Sequence, residues 1–125
     1  MEINKKILVI DDEVYIRRVI EIKLKKWGYQ VITAANGLEG LELIKTQKPD
    51  VVITDINMPG MDGESLCRLT DLMKKEKPFM TIVMTARISP EERVWTSEMT
   101  ETQFMEKPFS PAKLLEAINK YFGIV

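Results

Sequence analysis

Histidine is missing from this chain altogether, which removes imidazole acid–base chemistry and histidine metal ligation together. Cysteine is nearly missing. The one thiol, Cys67, permits no intrachain disulfide and suits a reducing compartment; it falls among Leu66, Leu69 and Leu72 on a helical pattern, as small core filler would. Net charge is missing too: 18 Lys and Arg stand against 19 Asp and Glu, leaving −1. The basic face or stripe that direct contact with nucleic acid requires is therefore not expected. Nor is there a long apolar run. Ile7–Ile10 is far too short for a signal peptide or a membrane span, so a soluble cytoplasmic protein with no membrane partner is expected. No repeat, low-complexity segment or linker interrupts residues 1–125. They are read as a single domain, large enough for a core without staples.

What the chain does contain is a regular alternation of short β-branched runs and amphipathic stretches. Ile7-Leu8-Val9-Ile10, Tyr29–Ala34, Val51–Asp55, Phe79–Thr85 and Gln103–Glu106 read as strands. Between them, Ile16, Ile20, Leu24 and Trp27 form one helical stripe, stopped by Gly28 and with Asp12 as a candidate N-cap. Asn36-Gly37 opens a second helix carrying Leu38, Leu41 and Ile44; Gly40 within it should cost about 1 kcal/mol against alanine. Asp62 is a plausible cap for a third helix from about Gly63 to Lys75, closed by Lys77-Pro78. Ser110 and Pro111 start a well-signalled last helix with Leu114, Leu115, Ile118, Tyr121 and Phe122. Residues 86–102 carry only a thin stripe of Val94, Trp95 and Met99 among poor helix formers, so the fourth helix should be short or irregular. This is an α/β pattern: a five-stranded parallel sheet, doubly wound, with flavodoxin-like order 2-1-3-4-5. The last helix ends just before the terminus, so no second domain is expected within this chain.

The chemistry collects at the carboxyl ends of those strands, where open α/β sheets bind ligands. They end in Asp11-Asp12, Ala34-Ala35, Asp55, Thr85 and Glu106-Lys107. Strand order 2-1-3-4-5 puts the inert second end at the outside and Asp55 between the Asp11-Asp12 pair and Thr85. Lys107 lies two strands away, at roughly 10 Å, and its long side chain can reach back. Three carboxylates packed together repel unless a cation sits among them. Oxygen donors alone describe a hard site, hence Mg²⁺, with Mn²⁺ possible. A carboxylate nucleophile, a divalent ion, a lysine and a hydroxyl are the parts that phosphoryl transfer needs.

With these residues in place the chain resembles the receiver domains of two-component response regulators, of the single-domain type. The resemblance runs nearly end to end. It rests on Asp11-Asp12-Glu13, on Asp55-Ile-Asn-Met-Pro-Gly-Met-Asp-Gly63, on Thr85-Ala86 and on Lys107-Pro108-Phe109. It implies that Asp55 takes a phosphoryl group from a sensor histidine kinase or a histidine phosphotransferase. It also implies that Asp12 ligates Mg²⁺ directly and Asp11 through water, with Asp55 and the Asn57 carbonyl completing the protein ligands. Thr85 and Lys107 would hold phosphoryl oxygens, Phe104 would be the switch aromatic, and Lys107-Pro108 would be cis. Output would pass to a downstream protein through the face of the fourth helix, fifth strand and fifth helix. Such a protein is not counted an enzyme, although it catalyses its own phosphorylation and dephosphorylation.

Two departures stand out. Met99-Thr100 occupies the place of a usual Gly-Ala pair, and Phe104 replaces the commoner tyrosine. Plainer roles stand beside the chemical ones: Asp12 as a cap, Asp62-Gly63 as turn and cap, Arg87 as a solvated charge, Trp95 and Met99 as cover for the sheet or a partner patch. Arg87 and Asn57 could also tune attack by water on a phosphoaspartate. A phosphorelay intermediate is the alternative function. A phosphohydrolase with an aspartyl nucleophile is the enzyme rival, but Asn57 stands where its acid would be. An FMN binder would need a phosphate cradle after the first strand, where Asp11-Asp12-Glu13 would repel phosphate instead.

Overall fold

The computed structural model describes residues 3–124. Its elements, in chain order, are β1 (Lys6–Ile10), α1 (Val14–Lys26), β2 (Gln30–Ala34), α2 (Gly37–Gln47), β3 (Val51–Asp55), α3 (Gly63–Thr70), a 3₁₀ turn (Asp71–Lys75), β4 (Met80–Thr85), α4 (Pro90–Ser97), β5 (Thr102–Glu106) and α5 (Pro111–Phe122). All strand pairs are parallel, in the order β2-β1-β3-β4-β5. This is the doubly wound flavodoxin-like sheet. β3 and β4 are buried along their whole length, whereas the edge strands β2 and β5 are partly exposed. That is why the central runs lack polar alternation and the outer ones tolerate it. Among the described residues, no helix is long and apolar enough to cross a membrane.

Successive strand residues point to opposite faces, so each strand feeds two cores. Ile7, Val9, Ile53, Ile82 and Met84 pack with Ile20 and Leu24 of α1 and Leu114 and Ile118 of α5. Leu8, Ile10 and Val52 pack with Ile44 of α2 and Leu66 of α3. Val83 packs with Cys67 and Trp95, so Trp95 covers the sheet beneath α4.

Several local expectations change. Glu13, not Asp12, is the N-cap of α1, and its side chain makes no capping bond. The preceding Asp11 carboxylate instead accepts the Glu13 N–H at 2.9 Å. Leu38, Leu69 and Leu72 face outward, at 62%, 57% and 69% exposure. The third helix is not continuous to Lys75; after Thr70 it tightens into the 3₁₀ turn. A Cβ on Gly40 would lie 2.9 Å from Cγ1 of Ile10, inside contact distance, so close packing of α2 on β1 requires the glycine that propensity alone counts as a cost. The fourth helix is short, at eight residues, and its start is better made than composition suggests. Ser89 and Glu92 form a reciprocal capping box around Pro90 at the first helical position.

Candidate functional site

The parallel register brings the strand ends level: Ile10 pairs with Thr54, Asp55 with Met84, and Thr85 with Glu106. The residues that follow β1 and end β3 therefore share one crevice. Asp11 is fully buried, Asp55 is 5% exposed, and Asp12 is open to solvent. One oxygen from each of Asp11, Asp12 and Asp55 lies within 4.8 Å of the others. The Lys107 ammonium reaches across from the end of β5 to Asp55 Oδ2 at 2.8 Å. Ile16, Met84, Pro108 and Phe109 line an apolar recess with that lysine.

The electrostatics follow from this crowding. Burial pushes the Asp11 carboxyl above its usual range; the Glu13 N–H opposes the shift, and the charge of Asp55 adds to it. Burial would also lower Lys107, but the Asp55 hydrogen bond and the Asp55 and Asp11 charges outweigh it and raise the ammonium. Lys107 is the cation within reach of the acids. It contacts one oxygen of Asp55 and leaves Asp11 Oδ2 buried without a hydrogen-bond partner. An orphaned buried carboxylate oxygen is costly. With the clustered carboxylates of Asp11, Asp12 and Asp55 offering oxygen ligands only, the site fits a hard divalent cation such as Mg²⁺.

Backbone geometry holds the site from three sides. The Asn57 N–H donates to Asp55 Oδ1 at 3.4 Å, bringing that peptide to the crevice, while the Asn57 side chain is exposed. The Lys107 N–H donates to the Thr85 carbonyl at 2.7 Å, and the Lys107-Pro108 bond is cis. The Thr85 hydroxyl donates to the Arg87 carbonyl at 3.1 Å, so it is engaged by its own loop. Phe104 is half-buried and meets Trp95 edge to face, with ring centroids 5.4 Å apart.

Two contributors were not legible as site residues. Arg17, on α1, donates from Nη1 to the Asp11 carbonyl at 2.7 Å and so fixes the turn that carries both acids. Nothing in the helical pattern distinguishes it from Arg18, which points to solvent. Gly63 follows the Asp62 cap, which accepts the Ser65 N–H at 2.7 Å. A Cβ on Gly63 would lie 2.6 Å from the Asp55 carbonyl oxygen. The turn signal at Asp62-Gly63 was visible in sequence; its pressure on the back of Asp55 was not.

A family model described as response regulator receiver domain matches residues 7–119. "Probable transcriptional regulator ycf27" of Cyanophora paradoxa is 41% identical over 91% of this chain and 47% of its own length. The alkaline phosphatase synthesis transcriptional regulatory protein PhoP of Bacillus subtilis is 37% identical over 89% of this chain and 45% of its own length. The chain thus spans about half the length of the curated relatives it matches. Among solved structures, the chemotaxis protein CheY4 of Vibrio cholerae superimposes with a TM-score of 0.84 at 32% identity, covering 93% of this chain and 97% of that one. A CheY-like receiver domain from Methanospirillum hungatei gives 0.85 at 30% identity, covering 95% and 94%.

Proposed function

This chain belongs to the response regulator receiver domain family, and we propose that it is a phosphoacceptor switch in which Asp55 is the phosphorylated residue. The observation that carries the reading is the convergence of Asp11, Asp12 and Asp55 within 4.8 Å, with Lys107 2.8 Å from the Asp55 carboxylate. An Asp55 oxygen attacks the phosphorus of a phosphohistidine on a sensor kinase or phosphotransferase. The P–N bond breaks, its electron pair stays with the imidazole, and an acyl phosphate forms. Asp11, Asp12, Asp55 and the Asn57 carbonyl would hold Mg²⁺ or Mn²⁺, which when bound offsets the negative charge that would otherwise repel the donor. Lys107 shifts from the carboxylate to a phosphoryl oxygen, keeping one charge-assisted bond throughout. Dephosphorylation is attack by water on the same phosphorus, with the exposed side chains of Asn57 and Arg87, each two residues beyond a site residue, placed to tune it. The chain catalyses its own phosphorylation and dephosphorylation, both at Asp55.

Signalling follows from the added charge of about −1.5 to −2 at Asp55. Thr85 gives up its bond to the Arg87 carbonyl, worth about 1 kcal/mol, for a charged phosphoryl oxygen. The β4–α4 loop is drawn toward the site, and Phe104, which lacks a hydroxyl, changes its packing on Trp95. A differential affinity of a few kcal/mol is enough to shift such an equilibrium. The partner is a cytoplasmic protein contacting the α4–β5–α5 face. Two of the relatives carry names of transcriptional regulators, and in a longer chain that partner would be a covalently attached domain.

Incubation with a small acyl phosphate and Mg²⁺, followed by intact mass, tests this. A gain of about 80 Da, one phosphoryl group, is expected in the wild type and none in Asp55→Asn. An equal gain in both proteins would refute the assignment. Repeated turnover of a generic phosphate ester would favour a hydrolase instead.

A further inference from the structure

The 3₁₀ turn after α3 holds a group that the phosphoacceptor chemistry does not use. Lys74 is 6% exposed, and burial lowers the pKa of its ammonium. Among the described residues, no carboxylate lies within ion-pair distance of it. A buried ammonium without an ion-pair partner needs its three donors answered. They are answered by the Thr100 carbonyl and by Thr102 Oγ1 at 3.1 Å, while the Phe79 ring centroid lies 4.9 Å away. One helical step back, Asp71 Oδ1 accepts the Thr100 N–H at 2.8 Å.

The two side chains therefore take both peptide groups of one residue. In a 3₁₀ helix, positions i and i+3 eclipse, whereas in an α-helix they are offset around the axis. The tightening at Asp71–Lys75 is what stacks Asp71 above Lys74 on one side. Thr100 lies between α4 and β5, and the next residue, Glu101, has a φ of +43°, a conformation that needs its neighbours to hold it. The Glu101 carbonyl in turn accepts the Thr81 N–H at 2.9 Å, which starts the β4–β5 ladder. Phe104 is two residues beyond Thr102.

We propose that Asp71 and Lys74 are positioning residues that clamp Thr100, fixing the amino end of β5 so that the α4–β5–α5 face moves only at its β4–α4 side. The part concerning movement rests on the phosphoacceptor reading; the clamp itself does not. The pivot gives a physical reason for the Met99-Thr100 departure, because peptide groups held from outside need no small residues to seat them. It also ties the end of α3, whose start abuts Asp55, to the segment that presents Phe104.

Amide exchange read residue by residue by NMR tests the clamp in the unphosphorylated full chain. The Thr100 amide should exchange about tenfold faster in Asp71→Ala and in Lys74→Met, the scale of one lost hydrogen bond. Asp71→Asn keeps the acceptor oxygen and should restore protection. Unchanged Thr100 exchange in Asp71→Ala, which removes a half-buried group outside the hydrophobic core, overturns the clamp even if Lys74→Met fails to fold. Treating wild type with acyl phosphate and Mg²⁺ then tests the pivot. Ile88 and Arg93 amides should change while Thr100 does not, and in Lys74→Met Thr100 should change with them. A wild-type Thr100 shift as large as that of Ile88, in protein whose mass shows the added phosphoryl group, overturns the pivot. Absence of that mass gain would count against the phosphoacceptor reading alone.

Discussion

At the scale of single residues, environment overrides identity. Cys67 is 3% exposed against Val83 and Trp95, and burial pushes its thiol up to about 12. Native protein at pH 8 should therefore hold roughly a thousandfold less thiolate than an ordinary cysteine. Alkylation by iodoacetamide should be very slow until denaturant is added; prompt labelling of folded protein would contradict the burial. The sign for stability follows, because the folded pKa lies above the unfolded value near 9.0. The contribution is whole below that value and is lost as pH rises toward about 12, so Cys67→Ala should flatten the alkaline decline in urea midpoint. Arg17 acts by position, not by charge on the ligand. Its bond to the Asp11 carbonyl steadies the acidic turn, and Arg17→Met should weaken Mg²⁺ binding about tenfold, as loss of an outer supporting bond does. Calorimetric titration with MgCl₂ would reveal it, and Arg17→Lys should recover part of the loss.

Secondary-structure elements show how local signals and packing share control. α4 has poor helix formers, yet its capping box answers the first-turn amides from within the segment. Ser89→Ala should cost about 1 kcal/mol and speed exchange of α4 amides, with β3 amides unaffected apart from global unfolding. Equal acceleration in both elements would mean that α4 is held by the sheet and not by its cap. α3 illustrates the converse. Its Leu66 and Cys67 face inward as a continuous helix would have them, but after Thr70 the chain tightens to 3₁₀, where Asp71 and Lys74 meet Thr100. The helix period alone contained no sign of that.

At the scale of the whole molecule, stability to acid is expected to draw on a carboxylate far from the acidic crevice. Asp50 precedes β3, accepts the Lys6 N–H at 2.8 Å and pairs with the Lys77 ammonium at 2.7 Å. It thereby joins the starts of β1, β3 and β4. Burial by itself would raise its carboxyl, but these bonds hold it below the usual value of 3.8. A depressed folded pKa means that the stabilisation is complete above the unfolded value and disappears as pH falls through the folded one. Asp50→Asn should lower stability near pH 7 and remove the corresponding part of the acid limb below about pH 4. Urea midpoints measured between pH 7 and pH 3 check this; an unchanged acid limb would assign the loss to other carboxylates.

Element type and the placing of acids at strand ends were determined by sequence alone, because each depends on short-range pattern; the strand order β2-β1-β3-β4-β5 followed from the alternation only through the fold class it implies. β-branched runs make buried strands wherever they pack. Ser110-Pro111 caps a helix by itself, and a charged residue at a parallel strand's end can only fall on the ligand edge. Asp11, Asp12, Asp55 and Lys107 were placed at strand ends that way, and the structure brings them together; the Thr85 hydroxyl it leaves bonded to the Arg87 carbonyl. Only tertiary structure decided which neighbours those residues meet. It turned Leu38, Leu69 and Leu72 outward, since a helical stripe does not say how wide a face the sheet will cover. It set Gly40 against Ile10 and Gly63 against Asp55, since close approach of two segments leaves no mark in either one. It gave Arg17 a carbonyl and Arg18 none, and it paired Asp71 and Lys74 with Thr100 across 29 and 26 residues. Long-range hydrogen bonds depend on where the chain returns, and no local periodicity records that.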